Sequence, residues 1–225
     1  MTSRGLKHVY LISGAAGAGK TTVAGALAHD LGAGWLQADT IWRALQGVLQ
    51  PGSSERDALD VDEAIRGGEK PVDAIVTQHI AASRIVCRGL ERAIAFELRA
   101  TYDTLVVDGA WLDPAWMASL RFLRDESDGQ VRSLASFDPD VEVDARCVVI
   151  HEPAAGEVKR AMRQRWSTIS GQVRATLPRE RLGAEVSWLY GNWLRDEAAE
   201  HGLPIITARP RETLHERSRT ALDIG

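Results

Sequence analysis

Gly14-Ala15-Ala16-Gly17-Ala18-Gly19-Lys20-Thr21 decides the fold of this chain. The stretch fits the phosphate-binding loop pattern G-x-x-x-x-G-K-[ST] at every fixed position. Just before it, His8-Val9-Tyr10-Leu11-Ile12-Ser13 is a short apolar run that reads as a buried strand. Just after it, Thr22 to Leu31 carries Val23, Leu27 and Leu31 at helical spacing. Strand, glycine loop and helix together are the context that gives the motif meaning. Glycines let successive backbone N–H groups turn inward around phosphate oxygens, and a helix starting at Lys20 aims its positive end at the same anion. Lys20 is expected as a solvent-facing charge for the β- and γ-phosphates, and the Thr21 hydroxyl as a Mg²⁺ ligand. Gly14 to Thr22 is therefore the expected nucleotide cradle. The glycine spacings of three and two do not match the dinucleotide fingerprint G-x-G-x-x-G.

The remaining strands follow from short apolar runs. Trp35-Leu36-Gln37, Thr104 to Asp108, Arg146 to Ile150 and Leu203 to Ile206 alternate with helical stretches. Those stretches are Ile41 to Leu49, Val72 to Ala100, a short helix opened by Pro114, one from Pro153 to about Trp166, Arg179 to His201, and Glu212 to Leu222. Alternation of this kind predicts an α/β fold, a five-stranded parallel sheet covered on both faces. One domain of 225 residues is expected. A substrate-side excursion occupies about residues 50–100, of which 52–71 read as a polar, mobile passage over the sheet edge. Residues 125–144 hold seven acids against Arg132 alone and read as a solvated connection.

Bulk composition excludes several classes. Apolar residues make up 44% and charged residues 26%, with a net charge of −4, and the pI is about 5.9. A general nucleic-acid surface is not expected. No apolar run reaches membrane-spanning length, and the N-terminus runs into the first strand, so neither a membrane anchor nor a signal peptide is expected. Cytoplasm is the default location. The two cysteines, Cys87 and Cys147, suggest no disulfide framework, and the histidines show no zinc spacing.

Ligands gather at the carboxyl ends of the strands in an open parallel sheet. Three such ends carry chemistry here: the phosphate loop, Asp39 and Asp108. Asp108 reads as the metal-side carboxylate, or else as a cap on the turn at Gly109. Asp39 has two compatible readings, an N-cap for a helix beginning at Thr40 and a base that takes the proton of a substrate hydroxyl. Arg43, one turn on, either holds a polar substrate group or pairs with Asp39. Trp42 and Trp111 stand near neighbouring strand ends. Their rings either fill the core or offer flat faces to a ring-bearing acceptor, a metabolite or antibiotic.

A second signal is compositional. Lys159, Arg160, Arg163, Arg165, Arg174, Arg179 and Arg181 face a single acid, Glu180, within one segment. Phosphoryl transfer spreads negative charge that arginine forks stabilise, so about residues 159–182 read as a lid, with a solvated basic helix as the bland alternative. Arg160 and Arg163 share a helical face and are the expected catalytic pair. Arg165 falls on the apolar side with Val158, Met162 and Trp166, and is expected toward the nucleotide.

These features together resemble the nucleoside-monophosphate-kinase-like P-loop kinases. Asp39-Thr-Ile-Trp-Arg43 sits where adenylate kinases carry an aspartate and a substrate-binding arginine. Asp108-Gly109 resembles their D-G-F-P-R stretch, with Ala110-Trp111-Leu112 in place of the last three residues. Gly34 to Asp39 is similar to the region of chloramphenicol phosphotransferases that holds their catalytic aspartate. Gly89-Leu90-Glu91 and Asp108 to Pro114 are similar to 2-phosphoglycerate kinases. Ala208-Arg209-Pro210 resembles the loop that packs on adenine. The resemblance implies a three-layer P-loop kinase fold with an arginine-rich helical lid. It also implies ATP and Mg²⁺ as cofactors and a small-molecule hydroxyl as acceptor, in a monomer or homodimer.

Other classes are weighed by what they need. A GTPase-type switch needs an N-K-x-D stretch, and the chain has no Asn-Lys pair. A motor or remodelling ATPase acts on macromolecules and usually takes a longer chain with an arginine from a neighbour. A nucleotide or polynucleotide kinase is opposed by the overall acidity and kept open by the arginine segment.

Overall fold

The computed structural model describes residues 6–121, 143–169 and 177–225, with backbone alone for 121, 165–169 and 177–179. Five strands form one parallel sheet: β1 (Lys7–Ser13), β2 (Gly34–Gln37), β3 (Thr104–Gly109), β4 (Val143–His151) and β5 (Ile205–Thr207). Their order is β2-β3-β1-β4-β5. The helices are α1 (Lys20–Leu31), α2 (Ala38–Val48), α3 (Ser54–Leu59), α4 (Val61–Gly67), α5 (Val72–Ala100), α6 (Pro114–Arg121), α7 (Ala155–Ile169), α8 (Leu177–Glu200) and α9 (Leu214–Ala221).

Side-chain alternation along the strands builds the three layers. Val9, Leu11, Leu105, Val107, Val143, Ala145, Cys147 and Val149 share one core with Trp42, Leu90, Ile94, Met117, Val186 and Tyr190, from α2, α5, α6 and α8. The residues between them, Tyr10, Ile12, Val106, Val148 and Ile150, share a second core with Val23, Leu27 and Leu214, from α1 and α9. Both faces of the sheet are thus covered, which is why its strands are nearly continuous apolar runs.

Register brings the chemistry to one edge of the sheet. Ser13 lies opposite Gly109, and Ile12 opposite Asp108. Gln37 also lies opposite Asp108, so Asp39 follows at the same level. The chain builds β2 and β3 on one side of β1 and then crosses to β4 on the other. That reversal is where open α/β sheets form a crevice.

The structure differs from the sequence-based expectation at two places. Residues 52–71 are not an open passage. They fold into α3 and α4, which seat Leu59 and Val61 in the first core. Ser53 starts α3 by accepting a hydrogen bond from the Arg56 amide, at 3.2 Å. Asp39 is not an N-cap either, because α2 begins directly off β2 with Gln37 as its cap. Asp39 stands inside the first helical turn, where a carboxylate suits the helix dipole. Val72–Ala100 is one continuous helix. The acidic connection lies largely outside the described residues, as does Arg174.

Candidate active site

Gly14 to Gly19 turn the chain from β1 into α1, with Gly17 and Gly19 at φ 83° and 95°. Lys20 opens α1. Its side chain is buried, not solvent-facing as expected: the residue is 7% exposed, and Nζ lies 3.5 Å from the Ala15 carbonyl oxygen. Ala15 also accepts from the Ala18 amide at 3.2 Å.

The hydroxyl of Thr21 donates to Asp108 Oδ2 at 2.8 Å. Trp35 Nε1 donates to the other carboxylate oxygen at 2.8 Å. Asp108 is 2% exposed, so these two bonds offset the cost of burying a carboxylate. A hydroxyl and a carboxylate oxygen in contact are hard oxygen donors at the start of a phosphate-loop helix. That set fits Mg²⁺, which keeps several waters and takes few protein ligands. Among the described residues no group of three or more histidine, cysteine or acidic side chains could hold a metal on its own.

Asp39 is reached from the next strand end. Trp111 Nε1 donates to Asp39 Oδ1 at 2.8 Å. The two meet because β3 ends against the first turn of α2: a Cβ on Gly109 would lie 2.4 Å from Ala38 Cβ, so only glycine fits. The segment behind Gly109 is pinned on three sides. Tyr190 Oη donates to the Ala110 carbonyl at 2.8 Å, Cys87 Sγ to that of Trp111 at 3.3 Å, and Ser13 Oγ to that of Leu112 at 2.9 Å.

Trp42 and Trp111 are core residues, 6% and 5% exposed. Their rings stand 4.5 Å apart, and Trp42 Nε1 donates to the Leu59 carbonyl at 2.9 Å. The end of α3 covers Trp42 through Leu59, and Trp111 packs between Trp42 and His79. Trp111 acts on the site through its indole N–H. Arg43 turns away as well. It bonds Asp62 at 2.9 Å and Gln46 at 2.9 Å, with its guanidinium 3.9 Å from the Trp42 ring centroid.

His79 continues the aromatic row. Its ring is 4.4 Å from Trp111 and stacks 3.8 Å from Tyr190. Both ring nitrogens are covered and lack a hydrogen-bond partner, although part of the residue stays open. Burial, with the Lys20 charge as a lesser cause, pushes its pKa down to about 3. Burial likewise raises the Tyr190 phenol and the Cys87 thiol well above their ordinary values. Cys87 is accordingly an unreactive core thiol.

A cavity of about 620 Å³ opens beside the phosphate loop. Gly17, Gly19 and Lys20 to Thr22 line one side, Glu157, Arg160, Ala161 and Gln164 of α7 another, and Arg209 and Arg211 the third. Arg160 bonds Glu157 at 2.6 Å. Arg209 bonds Glu152 at 2.9 Å and also Glu157. Arg163 is not in this cavity: it faces Glu180 at 3.7 Å and joins α7 to α8. The side chain of Arg165 lies outside what is described. The Pro210 carbonyl accepts from Arg217 Nη2 at 2.9 Å.

Sequence reasoning missed Trp35, His79, Tyr190, Arg211 and the acids Glu152 and Glu157. Arg211 directly follows Pro210, and Trp35 precedes Asp39 by four residues. Glu157 and Arg160 stand at the local i,i+3 spacing of a helix, whereas His79, Tyr190 and Glu152 meet their partners across long sequence separations that no local spacing signals.

A family model described as an AAA domain matches residues 9–190. The chain belongs to that family. Its phosphate loop, Asp39, Asp108 and α7 all fall inside the AAA-domain match, whereas Arg209 and Arg211 follow it. No curated protein matches the chain significantly. Among solved structures, a gluconokinase from Sinorhizobium meliloti 1021 aligns over 98% of this chain and 94% of its own. Its identity is 13% and its TM-score 0.46. A shikimate kinase from Acinetobacter baumannii, solved with shikimate, aligns over 97% and 94%, at 16% identity and TM-score 0.46. Among the described residues no helix is long and apolar enough to cross a membrane.

Proposed function

We propose that this chain is an ATP-dependent kinase that moves the γ-phosphate onto a hydroxyl of a small molecule. One observation carries the reading. Thr21 and Asp108 meet at 2.8 Å at the start of α1, and a second carboxylate, Asp39, is held one strand away by Trp111. A metal-side acid and a separate acid at the next strand end divide the work of phosphoryl transfer. Lys20 and Arg160 supply positive charge for the phosphates. Asp39 takes the acceptor's proton while the acceptor oxygen bonds to phosphorus and the bond from phosphorus to ADP breaks. Bound beside Thr21 and Asp108, Mg²⁺ supplies charge neutralisation for the phosphates.

The narrower resemblances, to adenylate, chloramphenicol and 2-phosphoglycerate kinases, support the same reaction class at Asp39 and Asp108. They disagree about the acceptor. With Trp42 and Trp111 enclosed, a ring-bearing acceptor loses its expected stacking faces. The acceptor we propose is a hydroxyl-bearing small molecule.

The test is phosphate transfer from Mg·ATP across a panel of sugars, alcohols, hydroxy acids and nucleosides. Lys20→Ala should abolish transfer. Asp39→Asn should lower kcat by about a hundredfold or more with little change in ATP affinity. Asp108→Asn should raise the Mg²⁺ requirement. Identical behaviour of the two aspartate variants would refute their separate roles. A second reading, a nucleotide-dependent ATPase, is favoured by the AAA-domain match. Turnover at full rate with no acceptor present would select it.

A further inference from the structure

Three arginines line the nucleotide cavity, and one is held differently from the others. Arg160 and Arg209 are paired with carboxylates, Glu157 for the first and Glu152 with Glu157 for the second. Arg211 instead donates to two backbone carbonyls of the phosphate loop. Nη1 bonds the Ala18 oxygen at 2.5 Å, and Nη2 bonds the Gly17 oxygen at 2.5 Å. These residues are more than 190 positions apart, at opposite ends of the chain. The loop is also shaped to receive this fork. A Cβ on Gly19 would lie 2.0 Å from Arg211 Nη1, so the glycine opens the space the guanidinium fills.

We propose that Arg211 is a positioning residue of the nucleotide site, a clamp that aims the phosphate-loop amides. It rests on the reading of this loop as a phosphate cradle. The argument comes from peptide geometry. In a trans peptide the C=O and the following N–H point in opposite directions. The Gly17 oxygen shares a plane with the Ala18 N–H, and the Ala18 oxygen with the Gly19 N–H. A fork that holds both oxygens on one side turns both amides to the opposite side. The Ala18 amide is held inside the loop, where it donates to the Ala15 oxygen at 3.2 Å, the oxygen the Lys20 ammonium also approaches, so the Gly19 amide is the one the clamp leaves to aim at an anion. Inward amides are what an anion-binding nest requires. Both bonds are charge-assisted and planar. A guanidinium can make them together, whereas an ammonium, a single point on a flexible stem, cannot hold the same two planes.

The clamp also gives the β5–α9 connection a function. Arg209, two residues earlier, reaches β4's end and the first turn of α7 through Glu152 and Glu157. One short connection thus holds the α7 side of the cavity with one arginine and the phosphate loop with the other.

The experiment uses full-length protein, with ADP binding followed by calorimetry and amide exchange followed by mass spectrometry. Arg211→Met and Arg211→Lys are compared with the parent. The expected result is ADP affinity weakened about tenfold or more in both variants, because two charge-assisted bonds no longer hold the loop. Amides of residues 15–19 should exchange faster in both variants without nucleotide, while melting shifts little. If Arg211→Lys restores ADP affinity and loop protection fully, Arg211 acts as bulk charge and the clamp is overturned. Affinity and exchange unchanged in folded Arg211→Met would overturn it too. A parent that binds no ADP would remove the phosphate-cradle reading by itself, and the exchange comparison would still decide whether Arg211 orders the loop. Should Arg211→Met fail to fold, Arg211→Lys, which keeps charge and stem, carries the same comparison.

Discussion

At the scale of single residues, the site is made by side chains holding other side chains. Asp39 has its carboxylate oriented by the Trp111 indole at 2.8 Å. Trp111→Phe keeps most of the ring and removes that donor. It should lower kcat by about tenfold or more, the worth of a hydrogen bond to a charged group. Nucleotide affinity should hold, since Trp111 does not line the nucleotide cavity. Loss of ADP binding instead would show that the row supports the phosphate loop. His79 allows a prediction about pH. Its pKa is held down to about 3, by burial first and Lys20 second, against an unfolded value near 6.5. Between these values the unfolded chain binds a proton that the folded chain does not. Stability therefore falls as pH drops from about 6.5 toward 3, by at most about 1.4 kcal/mol per pH unit from this residue. His79→Phe should flatten that part of the curve relative to the parent, as read from urea unfolding at a series of pH values. Parallel curves would mean that His79 takes up its proton in the folded state without penalty.

At the scale of elements, what sequence shows and hides follows from range. The loop, α1 and the five strands were legible because their signals are local: glycines, alternation and apolar runs read within about ten residues. The placement of Asp39 and Asp108 at neighbouring strand ends was legible because a strand's end is a local event too. The helices α3 and α4 were not. They bury little more than Leu59, Val61 and Ala64, so their composition reads as loop, and Ser53 as a cap was the signal passed over. The partner of Arg43 was hidden for a related reason, since Asp62 lies on α4, an element that had not been expected. The basic segment on α7 was legible as a charge run but not as a set of contacts. On α7, Glu157 holds two of the arginines that line the cavity, Arg160 and Arg209. Glu157→Gln removes a negative charge from the cavity wall while Glu152 still anchors Arg209. ADP should bind about two- to fivefold tighter at low salt, and the gain should shrink as salt screens it. Weaker binding would show that Glu157 serves chiefly to order the arginines.

At the scale of the whole molecule, the cavity is built from three segments that meet only in the folded chain: Gly17 to Thr22, Glu157 to Gln164, and Arg209 to Arg211. Each belongs to a different part of the fold. The first leaves the central strand β1, the second follows β4, and the third joins the edge strand β5 to α9. A ligand that touches all three binds the folded chain and not the unfolded one. At about a hundred times its dissociation constant such a ligand adds about 2.7 kcal/mol to stability. For a chain of this size that is a rise in melting temperature of roughly 5–10 °C. The distribution of the effect is more telling than its size. Mg·ADP should slow amide exchange in the phosphate loop, in α7 and in residues 208–211 together, since the three walls share one ligand. Asp108→Asn should keep a rise with ADP and lose the added rise from Mg²⁺, because the Thr21–Asp108 contact is the proposed metal side. Lys20→Ala should lose most of both. Protection confined to the phosphate loop, with α7 and residues 208–211 exchanging as before, would show that nucleotide occupies the cradle without engaging Arg160 or Arg209. The arginine segment would then be the solvated basic helix that its composition also allows.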